Sequence, residues 1–265
     1  MINEVVDLVE RMKDADLAEL DIIAWGSPVP SFGNLLNSRI ATLGLNPSNK
    51  EFLDDRGVEL SGIERRFHTL KSLGIADWDE ATVDHYQSIL KLCNEYFSRN
   101  PYDAWFKRLD YLISGTALSY YFPSNKACHL DLIPFATSTK WGELTNWQRS
   151  TLLSRYSDLL GTLLKNSTIK VLILNGKSVI DNFLKISDAV IETERMIEWD
   201  LPRKEADSVP GYAYSGAVRT IGGISLDEQL FILGFNHNIQ SSYGVTTAVQ
   251  SAIRNWITKN VLSIL

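Results

Sequence analysis

Short apolar runs alternating with amphipathic helical stripes predict an α/β fold. We expect a single three-layer α/β/α domain over residues 1–265, with a central four-stranded, mainly parallel sheet and an irregular insertion around 187–228. Three observations carry this. The runs at 39–45 ("RIATLGL"), 129–135 ("HLDLIPF"), 169–175 ("IKVLILN") and 229–235 ("QLFILGF") are too short for helices and mostly stop at turn or cap residues. Segments between them repeat apolar residues at helical spacing. No internal repeat, low-complexity tract or linker-like run divides the chain, and 265 residues with 45% hydrophobic content suffice for one large domain.

Taken in order, residues 2–13 set Val5, Val6, Leu8, Val9 and Met12 on one helical stripe, and 79–97 do the same with Val83, Tyr86, Ile89, Leu90, Cys93 and Phe97. After "NPYDAW", residues 103–113 give a third stripe through Trp105, Phe106, Leu109, Leu112 and Ile113. The stretch 145–165 opens on "TNWQ", a capping box of Thr145 and Gln148, and carries Leu152, Leu153, Tyr156, Leu159, Leu160, Leu163 and Leu164. Shorter stripes at 177–185 and 245–262 pair Val179 with Phe183, and Val249 with Ile253 and Trp256. Strands alternating with helices imply right-handed crossovers and a parallel sheet covered on both faces. Residues 187–228 break the rhythm; "ETERMIEWDLPRKEAD" followed by "GYAYSGAVRTIGG" reads as an irregular insertion with a β-ribbon.

Composition narrows the function classes. No run approaches the roughly 18 apolar residues of a spanning helix, and "MINEVVDLVERMKD" lacks the basic and apolar regions of a signal peptide, so a cytoplasmic, membrane-free protein is expected. Cys93 and Cys128 lie in apolar surroundings and read as buried free thiols. Four histidines, at 68, 85, 129 and 237, pair closely with cysteine only at Cys128-His129, so neither metal nor cofactor is expected. A net charge of −6 has the wrong sign for a chain that grips many phosphates. "IERRFHTLK" (63–71) supplies either a local positive rim or the solvated face of a helix.

In open parallel sheets ligands bind beyond the carboxyl ends of the strands. Here strand 39–45 runs into "NPSN", strand 129–133 into "PFATSTKW" with Asp131 near its end, strand 169–174 into "NGKS", and strand 229–235 into "NHNIQSS". "NPS" and "NGK" are ordinary helix starts, and His237 could simply cap the last helix; Asp131 in an apolar run demands either a partner or a function. Four polar ends on one rim favour a site. No GxSxG elbow, HExxH pair, Walker loop or dinucleotide GxGxxG is present. Asn46, Asp131 and His237 can position a water and stabilise a departing anion.

These residues resemble a family. "GLNPS" (44–48) is similar to the first motif of the uracil-DNA glycosylase superfamily in its Asn-containing version, and "HNIQSS" (237–242) sits where that superfamily has its His-Pro-Ser motif. "LDLIPF" and "VLILNGKSV" follow the family's order between them, so the resemblance spans roughly residues 25–260 as a distant member. It implies hydrolysis of the N-glycosidic bond of a damaged or non-standard base swung out of its stack, without metal or cofactor. Asn46 would orient the attacking water, and His237 would donate to the departing base. Phe52, with Leu45, would contact the base, and Asp131 would read its edge. Pro47, Ser48, Lys177, Ser241 and Ser242 would contact phosphate or backbone.

Three departures shape the expectation. Uracil readers use an asparagine where this chain has Asp131, and an ionised Asp only accepts, which suits a ring presenting N–H donors. The final motif lacks the proline and the apolar wedge; Ser241 stands near the wedge position and Ile239 is the nearest apolar substitute, which points to single-stranded or damaged DNA, or to free nucleotides. The acidic net charge requires a locally basic groove. Two alternatives stay open: a non-catalytic sensor that binds a base, nucleotide or nucleic acid on the same fold, and a hydrolase of free nucleosides or nucleotides.

Overall fold

The elements run α1 (Ile2–Arg11), β1 (Ile40–Gly44), α2 (Leu70–Leu73), α3 (Val83–Asn94), α4 (Asp103–Ile113), β2 (Ala127–Asp131), α5 (Asn146–Lys165), β3 (Val171–Asn175), α6 (Lys177–Lys185), β4 (Val190–Arg195), β5 (Tyr212–Ile221), β6 (Ile224–Phe235) and α7 (Thr247–Ile264). They are those of a computed structural model, which describes residues 1–203, 207–240 and 242–265. The architecture is the three-layer α/β/α arrangement with a mostly parallel sheet. No helix among the described residues is long and apolar enough to cross a membrane.

Local sequence explains the main elements. β1, β2 and β3 are buried at every position, as central strands covered on both faces must be. α5 starts at a complete capping box, Thr145 accepting from the Gln148 amide while the Gln148 side chain accepts from the Thr145 amide. Its Leu152, Leu153, Leu159, Leu160, Leu163 and Leu164 are buried. α4 and α6 occupy the ranges their periodicity predicts, 103–113 and 177–185.

The sheet has six strands in the order β2-β1-β3-β6-β5-β4, not the four expected. β2, β1, β3 and β6 are parallel, while β5 pairs antiparallel with β6 and β4 antiparallel with β5. The extra strands come from the segment read as an irregular insertion with a β-ribbon, and that ribbon joins the main sheet. β4 is an edge strand with all but Ile191 exposed, and β5 carries Ser215 and Gly216 in its centre, so neither shows the apolar run of a buried strand. Gly216 is required there because a Cβ would stand 2.1 Å from the Val190 carbonyl oxygen. Gly222 and Gly223, at φ of 55° and 80°, form the two-residue turn that lets β6 begin at Ile224.

From β1 the chain crosses to β2 on one side, and from β2 it returns past β1 to β3 on the other. The carboxyl ends of β1 and β3 therefore flank a topological switch point, where open α/β sheets hold ligands.

Candidate functional site

Period-two alternation puts Thr42 and Gly44 of β1 on one sheet face beside His129 and Asp131 of β2, with Thr42 paired to His129 and Gly44 to Asp131. Phe32, Trp105 and Phe106 surround the His129 ring at centroid distances of 5.4, 5.0 and 5.4 Å. Asp131 is 6% exposed and His129 2%. His129 Nε2 stands 3.4 Å from Asp131 Oδ1, too long for a good hydrogen bond, and no other donor among the described residues reaches this carboxylate. Gly44 makes room for it, since a Cβ there would lie 2.3 Å from Asp131 Oδ1 and 2.9 Å from His129 Nε2. Gly44→Ala is expected to cost about 1–3 kcal/mol by overpacking, read as a lowered midpoint of chemical denaturation.

The proton positions of this row follow from its hydroxyls. Tyr120 Oη lies 2.5 Å from Thr42 Oγ1, which lies 2.6 Å from His129 Nδ1. If Tyr120 donates to Thr42 and Thr42 donates to Nδ1, both hydroxyl protons are used and the ring proton sits on Nε2, facing Asp131. The reverse order leaves the phenol proton without an acceptor among the described residues and turns a lone pair on the carboxylate. The network therefore assigns His129 as the Nε2–H tautomer, its proton turned toward Asp131.

Glu51 is a second buried carboxyl close to the first. It is 3% exposed, accepts from Tyr96 Oη at 2.8 Å, and has Arg66 Nε at 4.0 Å. Burial pushes its pKa up to about 7, helped by the nearby charge of Asp131 and opposed by Arg66 and the Tyr96 hydrogen bond.

Asn46 stands two residues beyond Gly44 and ties the loop after β1 to the loop after β2. Its Nδ2 donates to Thr137 Oγ1 at 2.9 Å and to the carbonyl oxygens of Pro47 and Phe135 at 3.2 and 3.4 Å. Two carbonyl partners fix which side-chain atom is nitrogen, so Oδ1 is the free group, with no donor among the described residues. Leu45 is half-buried and packs on the core, Pro47 is buried, and Ser48 is exposed and caps the short turn Asn49–Glu51 by accepting from the Lys50 amide at 3.2 Å.

Two expected roles are corrected. His237 is turned away into the chain between β4 and β5, where its Nε2 meets the Trp199 carbonyl oxygen at 2.7 Å. A carbonyl only accepts, so Nε2 carries the proton and neutral His237 offers a lone pair at Nδ1 and no donor for a departing base. Burial lowers its pKa and keeps it neutral at neutral pH, with the Trp199 contact opposing. Phe52 is a core residue, 1% exposed, edge-on to Trp25 at 6.0 Å and pressed against Gly26, so its ring has no free face for a base.

The remaining predicted contacts are scattered. Lys177 opens α6 and is ion-paired to Asp181. Ser242 is half-buried, its amide donating to the Asn238 carbonyl at 2.8 Å, and Ser241 lies outside the described residues. The loops after β3 and β6 touch, the Lys177 amide donating to Asn236 O at 2.9 Å and Asn175 Nδ2 to Gln240 Oε1 at 3.3 Å. The structure thus gathers Leu45, Asn46, Pro47 and Ser48 with Asp131 on the β1–β2 side, and Lys177 with the His237 loop on the β3–β6 side.

A groove of about 1300 Å³ lies between α5, α6 and the β5–β6 turn. Lys177 lines it; Asn46, Asp131 and His237 do not. Cys93 and Cys128 are buried free thiols whose pKa values burial raises to about 12, which removes them as nucleophiles. Among the described residues no group of three or more His, Cys, Asp or Glu side chains is arranged to hold a metal ion.

Sequence reasoning missed Glu51, Thr42, Tyr120 and His129. The signal for His129 is its i, i+2 spacing from Asp131 on a strand, which places both on one face. Glu51 carries no such signal, because a charged residue in a turn ordinarily faces water. Comparison with protein-family models gives no match, and comparison with curated proteins gives no relative.

Proposed function

We propose that the rim at the ends of β1 and β2 binds a nucleobase and that the protein is a glycosylase-like hydrolase of a non-standard base in nucleic acid. The observation that carries this reading is Asp131, a carboxylate nine-tenths buried at a strand's carboxyl end with no hydrogen bond from the described residues. Leaving such a group unpaired is expensive, and a ligand presenting N–H donors would offset the cost. The free Oδ1 of Asn46, on a side chain anchored through its nitrogen, is suited to accept from a water and hold it for attack at C1′. The resemblance of "GLNPS" to the glycosylase motif supports the same assignment. Single-stranded or damaged DNA is the proposed partner, and a cytoplasmic location belongs to the reading, supported by the two free thiols.

The test is incubation with labelled single- and double-stranded oligonucleotides carrying uracil, hypoxanthine, xanthine or alkylated bases, followed by alkaline cleavage of abasic sites. Abasic sites are expected with at least one substrate, and Asn46→Ala is expected to slow their formation roughly 100-fold through loss of water positioning. Equal rates for both proteins would sink the assignment. The commitment of His237 Nε2 to Trp199 favours one second reading, binding without hydrolysis. That reading predicts oligonucleotide binding, weakened by Asp131→Ala, with no base released.

A further inference from the structure

We propose that the base taken by this rim is a cationic, N7-alkylated guanine-type purine. This rests on the reading above and names the substrate class of that site. Two independent features meet in it.

The first is the shape of the acceptor. The relay from Tyr120 through Thr42 to His129 Nδ1 turns Nε2–H toward Asp131, so the carboxylate presents acceptor oxygens and no donor. Its complement is an edge with two adjacent N–H donors. Guanine has one, the ring N1–H beside the N2 amine. Uracil and hypoxanthine set a ring N–H beside a carbonyl, and that carbonyl would face a carboxylate oxygen.

The second is the leaving group. A neutral purine leaves as an anion and needs a donor to hold the charge. His237, the imidazole that the motif order assigns to this work, spends its Nε2–H on Trp199 and is buried neutral. An N7-alkylated guanine needs no such donor. As its C1′–N9 bond breaks, the bond's electron pair flows into the imidazolium ring and the base departs neutral. The oxygen of the water held by Asn46 forms the new bond to C1′, and the water's proton passes to solvent. A positively charged base also suits a buried anion in a chain of net charge −6, where it would be penalised at a basic site.

The same edge and charge occur in a free nucleoside and in alkylated nucleic acid, so the experiment carries both. The full chain is incubated in mildly acidic buffer, where the ring N–H is retained, with 7-methylguanosine, 7-methylinosine, guanosine, and a single-stranded oligonucleotide holding one 7-methyl-2′-deoxyguanosine. Released base is measured by chromatography against spontaneous loss. We expect release from the oligonucleotide, the nucleoside or both, and whichever substrate responds identifies the source. We also expect release from 7-methylinosine, which keeps the charge and lacks the amine, to be slower by about tenfold or more, and none from guanosine. Asn46→Ala should slow the release roughly 100-fold. Equal release from the two methylated nucleosides overturns the inference, as does release of uracil from oligonucleotides without release of 7-methylguanine; in both cases the base-binding rim survives. Neither binding nor release of any base overturns the inference and the rim together.

Discussion

Asp131→Asn is expected to invert the base preference of the rim. The unmutated carboxylate, which His129 Nε2 faces at 3.4 Å, should bind guanosine over inosine because only guanosine offers two adjacent donors. An asparagine amide presents one acceptor and one donor. With its Oδ1 toward His129 and its Nδ2 outward, it matches the inosine edge, donating to the carbonyl and accepting from the ring N–H. The side chains have nearly the same volume, so the space beside Gly44 is undisturbed. One mismatched hydrogen bond to a buried charged group changes affinity by about tenfold to 100-fold, and the swing between the two proteins combines two such changes. Titration calorimetry with guanosine and inosine on both proteins reads the result. An unchanged ratio would mean that Asp131 does not face the bound base.

The second large effect concerns stability. Burial holds the Glu51 pKa at about 7 against an unfolded value near 4.5, so the folded protein binds this proton more tightly than the unfolded chain. Its contribution is therefore fully present below the unfolded value and is lost as pH rises through about 7. A shift of this size corresponds to roughly 3 kcal/mol lost between the acid and alkaline limits. Glu51→Gln keeps an oxygen for the Tyr96 hydroxyl, 2.8 Å away in the parent, and removes the ionisation. In urea denaturation at mildly acidic and mildly alkaline pH, the parent should lose stability relative to the variant as pH rises. Parallel profiles would show that Glu51 is ionised throughout, paired with Arg66.

The parts of the fold that depend on burial were legible in the sequence, because burial on both faces writes itself as an apolar run. β1 and β3 lie within their predicted runs, and α4 and α6 coincide with theirs. β2 is displaced, ending at Asp131 where the apolar run continues to Phe135, because Leu132 and Ile133 are buried without being in the ladder. β4 and β5 were legible only as a β-ribbon within an irregular insertion and not as strands of the main sheet: an exposed edge strand has no reason to be apolar, and a glycine forced by close strand contact looks like a loop residue. At the site, Asn46 and Asp131 could be named because polar residues at strand ends are conspicuous. The direction of His237 could not, because it depends on Trp199, thirty-eight residues away in a segment whose path the pattern does not encode. Glu51 was hidden for the opposite reason, being a turn residue pulled inward by its neighbours.

The competing location for any ligand is the groove of about 1300 Å³ between α5 and α6. The decisive measurement is a crystal structure of the protein with guanosine or 7-methylguanosine bound. Electron density for the base with its N–H edge within hydrogen-bond distance of Asp131, and the sugar toward Asn46, is the predicted result. Density for the base in the α5–α6 groove beside Lys177, with Asp131 untouched, would contradict it.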